Sequence, residues 1–220
     1  MVIGGIKSPH RPFLLITAAS GAVLHAAALS QTMLTPIGLN LAMFQVGSLI
    51  SLIITNLLLF SAWKKPVDNL FSGLLPMGAV ICVLAAFAPH LVILSNISYA
   101  LMWHILLSVI AFSLFTIAAV QAVMVLLQDR SLRRHQLQGL VRSLPPLQTM
   151  DALLFEILWL AMILLTGAFT IGFPAIDNLS EQHLIHKVVF SVIAWVVFAI
   201  LLFGRYRFGW RGPTASRWTL

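Results

Sequence analysis

Long uninterrupted apolar runs constrain this chain more than any other feature of its sequence. Six such runs occur along the 220 residues, and a helix needs about 20 apolar residues to cross a bilayer. The runs are continuous rather than alternating, which favours spanning helices over barrel strands. With 60% hydrophobic and only 9% charged residues, a water-soluble core could not bury this surface. The sequence predicts an all-α, polytopic integral membrane helical bundle.

The predicted bundle is a single membrane domain over residues 1–220, with six transmembrane helices. The first predicted span is barely long enough, and the second and fourth exceed the minimum, so we expect tilt or overhang. Short connections between most spans predict antiparallel packing of neighbours. The predicted spans are 12–29, 37–62, 70–89, 99–127, 151–173 and 186–204.

Lysine and arginine residues predict the orientation of the bundle. Twelve of the thirteen fall on one side of an alternating six-span topology, and only Lys187 falls on the other. By the positive-inside rule, both termini are predicted to be cytoplasmic. The net charge of +7 is therefore interpreted as an orientation signal and a lipid-headgroup contact, with no nucleic-acid partner. The N-terminus lacks a secretory signal pattern, so we expect the first span to be retained.

The long connection 129–150 is predicted to lie on the cytoplasmic side as an amphipathic helix. Leu137, Val141 and Leu144 recur at helical spacing, with arginines around the other face. The prolines that follow at 145 and 146 are expected to end this helix.

Histidines are distributed asymmetrically across the predicted topology. His25 lies about four residues, roughly 6 Å, inside the outer end of the first span, and His104 lies at a similar depth in the fourth. His186 begins the sixth span. The histidines placed at the outer face are His25, His90, His104, His183 and His186, whereas His10 and His135 are placed at the cytoplasmic side.

A titratable imidazole inside an apolar helix is costly and indicates either a partner or a function. Histidine is a usual protein ligand of haem iron, and imidazoles from different helices at one depth could bind a planar cofactor. The candidate cofactor-binding residues are therefore His104, His25 and His186, and His104 and His25 are the candidate ligands of the iron if the cofactor is haem. In the alternative reading, the same imidazoles are interfacial groups hydrogen-bonded to a carbonyl or to water.

Other chemistry is less well supported by the sequence. The HxxH pair of His183 and His186 lacks the further ligands that a zinc site needs, although Glu181 is near. Glu156, one and a half turns into the fifth span, is either part of a proton path or an interfacial carboxylate. A Walker loop, an HExxH motif and a nucleophile elbow are all absent from the sequence, so the protein is not predicted to be an enzyme.

Four stretches resemble the cytochrome c assembly family of CcsA/CcmC-type membrane proteins, in particular its divergent HemX-like branch. The resemblance runs over most of the chain and is most specific at the last stretch, which is similar to the family's "W…FA…R…GW" ending. His25 stands in the place of an early family histidine, and His104 falls on the family's outward-facing histidine at the head of a span. The stretches are "LHAAAL" with "NLAMFQVGSLISLI", "WHILLSVIAFSLFTIAAVQAVMVLLQDR", "LPPLQTMDALLFEILWLAMILLTGAF" and "HKVVFSVIAWVVFAILLFGRYRFGWRG".

The resemblance implies a multi-pass protein of the bacterial inner (plasma) membrane that handles haem in cytochrome c assembly or a related haem process. It implies haem as cofactor near the outer face, and the bilayer, haem and other cytochrome c assembly or membrane proteins as partners. The alternatives without haem are an accessory subunit of another membrane protein, which the first of two departures from the family favours, and a small metal or proton transporter, which would use Glu156 and the HxxH pair. The loop "PAIDNLSEQHLIHK" has no tryptophan, unlike the family's tryptophan-rich loop, and Phe203 replaces an in-membrane histidine. The chain ends where relatives begin another span, so we expect a shortened form or a fragment.

Overall fold

The predicted membrane-spanning helices are present in the computed structural model of the protein. It describes residues 11–65, 67–87, 92–95, 97–134, 144–175 and 182–220, with side chains for all of these except 175 and 182–187. Six helices in this part of the chain are long and apolar enough to cross a membrane. The fold class, an all-α polytopic membrane bundle, is confirmed.

The described residues form seven helices, three short strands and one turn of 3-10 helix. The helices are α1 (Arg11–Met33), α2 (Met43–Ala62), α3 (Asp68–Phe87), α4 (Tyr99–Arg133), α5 (Leu147–Gly172), α6 (Gln182–Phe208) and α7 (Pro213–Thr219). The strands are β1 (Leu34–Thr35), β2 (Gly38–Asn40) and β3 (Ile93–Leu94), and the 3-10 turn is Phe173–Ala175.

The chain divides into two compact units, Met1–Asn96 and Ile97–Leu220. The N-terminal unit contains α1 to α3 and the strands, and the C-terminal unit contains α4 to α7. The predicted single membrane domain over residues 1–220 stays a prediction.

Two predicted boundaries are wrong for a structural reason. The second span was expected from residue 37, but α2 begins at Met43 because Gly38–Asn40 pairs as a strand. The fourth helix continues to Arg133, so the first part of the predicted amphipathic loop 129–150 belongs to α4. The last part of that loop, from Leu147, belongs to α5, and residues 135–143 lie outside the described part of the chain.

A small antiparallel sheet closes one end of the N-terminal unit. Its strand order is β1-β2-β3, and the buried side chain of Asn40 organises it. The Oδ1 atom of Asn40 accepts hydrogen bonds from the backbone N–H groups of Ala42 (3.2 Å) and Val92 (3.1 Å). Its Nδ2 atom donates to the carbonyl of Thr32 at 3.4 Å. One amide side chain therefore joins the end of α1, the start of α2 and the segment before β3.

An ion pair closes the opposite end of the N-terminal unit. The Nε atom of Arg11 lies 3.0 Å from an oxygen of Asp68, and its Nη2 atom donates to the backbone carbonyl of Ala62. The first turns of α1 and α3 and the last turn of α2 are thus held together. Lys64 and Lys65 lie just after α2, so the described lysine and arginine residues of this unit share one end, whereas its sidedness in the membrane stays a prediction.

Small residues allow α4 and α5 to pack closely in the C-terminal unit. Fully buried alanines, rather than large side chains, lie along the contact between α4 and α5. Their small size lets the backbones of the two helices approach closely, as in other membrane bundles. These alanines are Ala111, Ala118, Ala122, Ala161 and Ala168. Large apolar side chains such as Trp159, Ile163 and Phe190 remain exposed, as expected where a helix faces lipid.

The C-terminal segment folds back over one end of this unit. Gly209 (φ +66°) and Gly212 (φ +53°) take left-handed backbone conformations that favour glycine, and they reverse the chain after α6. Helix α7 then buries Ala215 and Ser216 completely. Ala215 joins the apolar cluster that contains Ala118 and Ala122 of α4 and Leu154 of α5.

Candidate functional site around His104

His104 lies one and a half turns into α4, close to where this helix begins. The hydroxyl of Ser98 accepts a hydrogen bond from the N–H of Leu101 and caps this helix end. The half-buried imidazole of His104 bonds through Nδ1 to the backbone carbonyl of Ala168 on α5, at 2.8 Å. A carbonyl only accepts, so Nδ1 carries the proton and Nε2 of the neutral ring carries the free lone pair.

Gly172 provides the space that the imidazole occupies. A Cβ atom at this position would overlap Nδ1 of His104 and lie 2.6 Å from its Cε1, which is too close for any side chain. Gly172 follows Ala168 by four residues, so the carbonyl and the space lie on the same face of α5. At Gly167, by contrast, a Cβ would meet Leu107 at an ordinary 3.6 Å. The pocket for the ring is thus specific to the last turn of α5.

The position of His104 along α4 places it far from the basic end of the C-terminal unit. Arg130 follows His104 by 26 residues in one continuous helix, which separates them by roughly 39 Å at 1.5 Å per residue. A hydrocarbon core is about 30 Å thick. His104 and Arg130 are thus separated by more than the thickness of the hydrocarbon core, and their placement at opposite membrane interfaces stays a prediction.

His25 makes a different contact in the N-terminal unit. Its Nε2 atom lies 2.7 Å from the hydroxyl of Ser48, which is buried on α2. A hydroxyl both donates and accepts, so this contact does not select a tautomer. Helix α1 continues to Met33, which puts His25 eight residues, roughly 12 Å, from the end of its helix rather than the predicted four residues.

The third candidate, His186, lies in the second turn of α6, and its side chain falls outside the described residues. His183 lies in the first turn of α6, and its side chain also falls outside the described residues. His10, His90, His135 and Glu181 lie outside the described part of the chain. His25 and His104 belong to different units, so their predicted binding of a common cofactor stays a prediction.

The described residues contain no group of three or more histidine, cysteine or carboxylate side chains able to hold a metal ion. Haem iron does not need such a group, because the macrocycle supplies four ligands and the protein supplies only axial ones. Glu156, weighed as a member of a proton path, is exposed on α5 rather than buried within the unit. Of the two described candidate histidines, His104 is the one whose tautomer is fixed by its contact with a backbone carbonyl.

A buried ion pair at the other end of the C-terminal unit was not predicted. The carboxylate of Asp151 accepts from Nη1 of Arg205 at 3.0 Å and from the N–H of Gly212 at 2.7 Å. Arg205 also donates to the carbonyl of Trp210 and stacks over the ring of Phe155. The available signal was an acid at the start of the fifth span and a base at the end of the sixth, which an antiparallel pair brings together.

Residues of the "W…FA…R…GW" ending have structural contacts. Trp195 donates through Nε1 to the hydroxyl of Thr166 at 2.9 Å, which joins α6 to α5. Phe198 stacks on Phe115 of α4 with ring centroids 4.3 Å apart. Together with the Arg205 pair, these contacts show that the ending holds α6 and the folded-back segment to the rest of the unit.

The fold defines a multi-pass helical protein of the membrane, in which His104 bonds to a backbone carbonyl of a neighbouring helix. Residues 13–220 match the family described as Cytochrome C assembly protein. The chain belongs to this family, and the resemblance noted in the sequence is confirmed.

Curated relatives agree with this placement. The chain is 31% identical over 205 residues to the Inner membrane protein YpjD of Escherichia coli (strain K12), covering 92% of this chain and 78% of that protein. It is 26% identical over 150 residues to Protein HemX of Brevibacillus brevis, covering 66% and 55%. No solved structure matches the chain. The predicted location, as a multi-pass protein of the bacterial inner membrane, is confirmed.

Proposed function

We propose that this protein holds haem at the inner membrane in cytochrome c assembly or a related haem process, with His104 as the axial ligand of the iron. Family membership supports a haem-related, non-catalytic role at the inner membrane. The single observation that carries the assignment to His104 is the hydrogen bond from its Nδ1 to the Ala168 carbonyl.

Histidine ligands of metals usually donate their second ring N–H to a carboxylate or a backbone carbonyl. This bond fixes the tautomer and the ring orientation, and it raises the basicity of the ligating nitrogen. His104 has this arrangement, and the described residues place no hydrogen-bond partner at its Nε2. When bound, haem would supply the iron and its redox chemistry, and the protein would supply the ligand and an apolar environment.

His25 and His186 are the candidates for a second axial ligand. Nε2 of His25 is held by Ser48, so coordination by that atom requires the imidazole to leave the hydroxyl. Coordination through its Nδ1 would leave the contact with Ser48 intact. We therefore rank His104 first, and the second ligand is assigned by experiment.

The test is an absorption spectrum of the purified protein in detergent, oxidised and then reduced with dithionite, with haem titrated into any unoccupied fraction. We expect a Soret band that survives washing and is lost or strongly shifted in His104→Ala. His135→Ala, which changes a histidine at the predicted cytoplasmic side, is the matched control. A Soret band that is the same in His104→Ala and in the control would remove His104 from the proposal.

A second candidate function is an accessory subunit of another membrane protein, without haem. It is supported by the fact that both described imidazoles already have hydrogen-bond partners within their own units. In this case the purified protein is colourless, does not bind added haem, and copurifies with one membrane protein in fixed stoichiometry. The same preparation therefore distinguishes the two functions.

A further inference from the structure

Helix α4 is longer than a membrane requires. It has 35 residues, whereas α5 and α6 have 26 and 27. At 1.5 Å per residue α4 spans roughly 52 Å, and it still rises about 40 Å along the membrane normal at a tilt of 40°. A hydrocarbon core is about 30 Å thick, so at least about 10 Å of α4 lies outside it.

Gln121 of α4 lies level with the buried ion pair of Asp151 and Arg205. Its side-chain amide donates to the carbonyl of Met150, which precedes Asp151, at 3.0 Å. The N–H of Gly212, just before α7, donates to the same aspartate. The first turns of α5, the end of α6 and the start of α7 thus meet α4 at one height, called the ion-pair level here.

The hydrocarbon core lies on the Tyr99 side of the ion-pair level. Gln121 follows Tyr99 by 22 residues, which corresponds to roughly 33 Å of helix and matches the thickness of a hydrocarbon core. A core placed toward the other end of α4 would contain the charged side chains of Arg205 and Arg207, at a high cost in free energy. The segment of α4 beyond Gln121 therefore projects out of the core.

The projecting segment of α4 reaches past the headgroup layer. The start of α5 contacts it at Gln128, whose amide donates to the carbonyl of Pro145 at 2.9 Å. Arg130 and Arg134 follow Gln121 by 9 and 13 residues, which places them roughly 14 and 20 Å beyond the ion-pair level. At a tilt of 40° these distances are still about 10 and 15 Å, whereas the headgroup layer is about 5–8 Å thick on each side. Both arginines therefore lie in the aqueous phase.

One face of the projecting segment combines unpaired charge with an exposed apolar side chain. Leu127, Arg130 and Arg134 recur at i, i+3 and i+7, so they share one side of the helix. Leu127 is 51% exposed, and both arginines are exposed. Among the side chains described for the C-terminal unit, neither guanidinium group has an acidic partner, whereas Arg133 pairs with Asp129. Leu127, Arg130 and Arg134 are called the projecting face here.

The composition and position of the projecting face select its partner. Phospholipid is out of reach at these distances, and the same face of a second copy would bring like charges together. A nucleic acid would use the guanidinium groups but not the exposed leucine. Arginine beside an apolar side chain is instead typical of the energetically important centre of a protein interface. We propose that the projecting face binds an acidic, amphipathic segment of another protein, whose carboxylates pair with Arg130 and Arg134 and whose apolar side chain covers Leu127. The proposal is independent of haem binding.

The test is site-specific photocrosslinking of the full-length protein in bacterial cells. A benzophenone amino acid replaces Leu127 and, as a control, Ile193, which is 53% exposed in the apolar part of α6. We expect one discrete protein adduct from position 127, attached through a peptide that carries at least two carboxylates. From position 193 we expect lipid adducts only.

Charge reversal tests whether the adduct depends on the projecting face. Arg130→Glu/Arg134→Glu should reduce the yield of the adduct by about tenfold or more, because carboxylates would then face carboxylates. Arg207→Glu/Arg217→Glu makes the same change in net charge at the ion-pair level and should reduce it less than twofold. If the first variant melts at a lower temperature than the parent, Arg130→Gln/Arg134→Gln replaces it.

Several outcomes would overturn the proposal. They are the lack of any adduct at position 127, an adduct with lipid or with a second copy of the chain, an adduct that ribonuclease removes, and equal losses in the two charge-reversal variants.

Discussion

The two units hold their histidines in different ways. In the N-terminal unit, His25 meets the hydroxyl of Ser48, whereas in the C-terminal unit His104 meets a backbone carbonyl of α5. The hydroxyl reorients and leaves the tautomer open, but the carbonyl fixes the proton on Nδ1. Two histidines that are equally unusual in the sequence therefore differ in whether their contacts fix the tautomer of the ring.

The ends of the two units also differ in how deeply their ion pairs are buried. The side chains of Arg11 and Asp68 are 22% and 41% exposed, respectively. Those of Arg205 and Asp151 are 25% and 9% exposed, so the difference lies in the carboxylates. Asp151 additionally accepts from a backbone N–H that has been turned inward by the folded-back segment. An ion pair of the second kind is hard to break, since removing one member leaves buried charge and a buried donor.

The largest expected effect is on this buried pair. Asp151→Ala leaves both the Arg205 guanidinium and the Gly212 N–H without their acceptor, and we expect a loss of about 3–5 kcal/mol in the free energy of unfolding. Asp68→Ala, the matched change in the other unit, is expected to cost less than about 1 kcal/mol because the Asp68 carboxylate is 41% exposed to solvent. Denaturant unfolding in mixed micelles measures both, and equal losses would contradict the comparison.

Asn40 provides the next effect, in the N-terminal unit. Asn40→Ala leaves the N–H groups of Ala42 and Val92 without an acceptor at a buried position, and we expect a loss of about 2–3 kcal/mol. Hydrogen exchange of these two amides should accelerate while that of α4 is unchanged. Asn56→Ala, which changes an asparagine bonded only within its own helix, is the control. A similar loss in the control would show that the sheet contacts of Asn40 contribute little.

Gly172→Ala is expected to have a smaller effect on stability and a specific effect on His104. The added methyl group requires the imidazole to move and its bond to Ala168 to break, at a cost of about 1–2 kcal/mol. If haem is bound, the Soret band should shift or weaken as in His104→Ala. Gly167→Ala adds the same methyl group at an ordinary contact distance and should leave the spectrum unchanged. Indistinguishable spectra for the two variants would show that the ring is not positioned by α5.

The smallest effect is expected at Ser48. Ser48→Ala removes the partner of His25 and should cost about 1 kcal/mol, with no change in any haem spectrum if His104 alone binds the iron. Ser51→Ala, on the same helix and bonded only to a backbone carbonyl, is the control. A changed spectrum in Ser48→Ala would identify His25 as the second ligand and narrow the difference between the two units.

Hydropathy predicted the helices well but their ends less well. The second span was expected to include residues 37–42, because an apolar run with one glycine and one asparagine cannot be distinguished from helix by composition. Gly38–Asn40 instead forms the middle strand of the sheet, and one of its two partner strands lies more than fifty residues later in the chain. Helix α7 was missed for a related reason, since its buried face is made of small residues that carry little hydrophobic signal.

The candidate site was predictable in identity but not in geometry. His104 was found because an imidazole within an apolar helix is costly and has to be accounted for. The bond to Ala168 and the space at Gly172 could not be predicted, because they depend on the register between α4 and α5. Asp151 was overlooked for the same reason, since its partner lies 54 residues further along the chain.

The amino-acid sequence by itself determined that this chain spans a membrane, where its helices lie and which ends carry the basic residues. These properties depend on transfer free energies summed over about 20 consecutive residues. They can therefore be predicted without knowing which residues are neighbours in space. Only the tertiary structure decided which nitrogen of His104 is free and which arginines lack a partner. Both depend on single contacts between distant segments, whose geometry is set by helix packing rather than by composition.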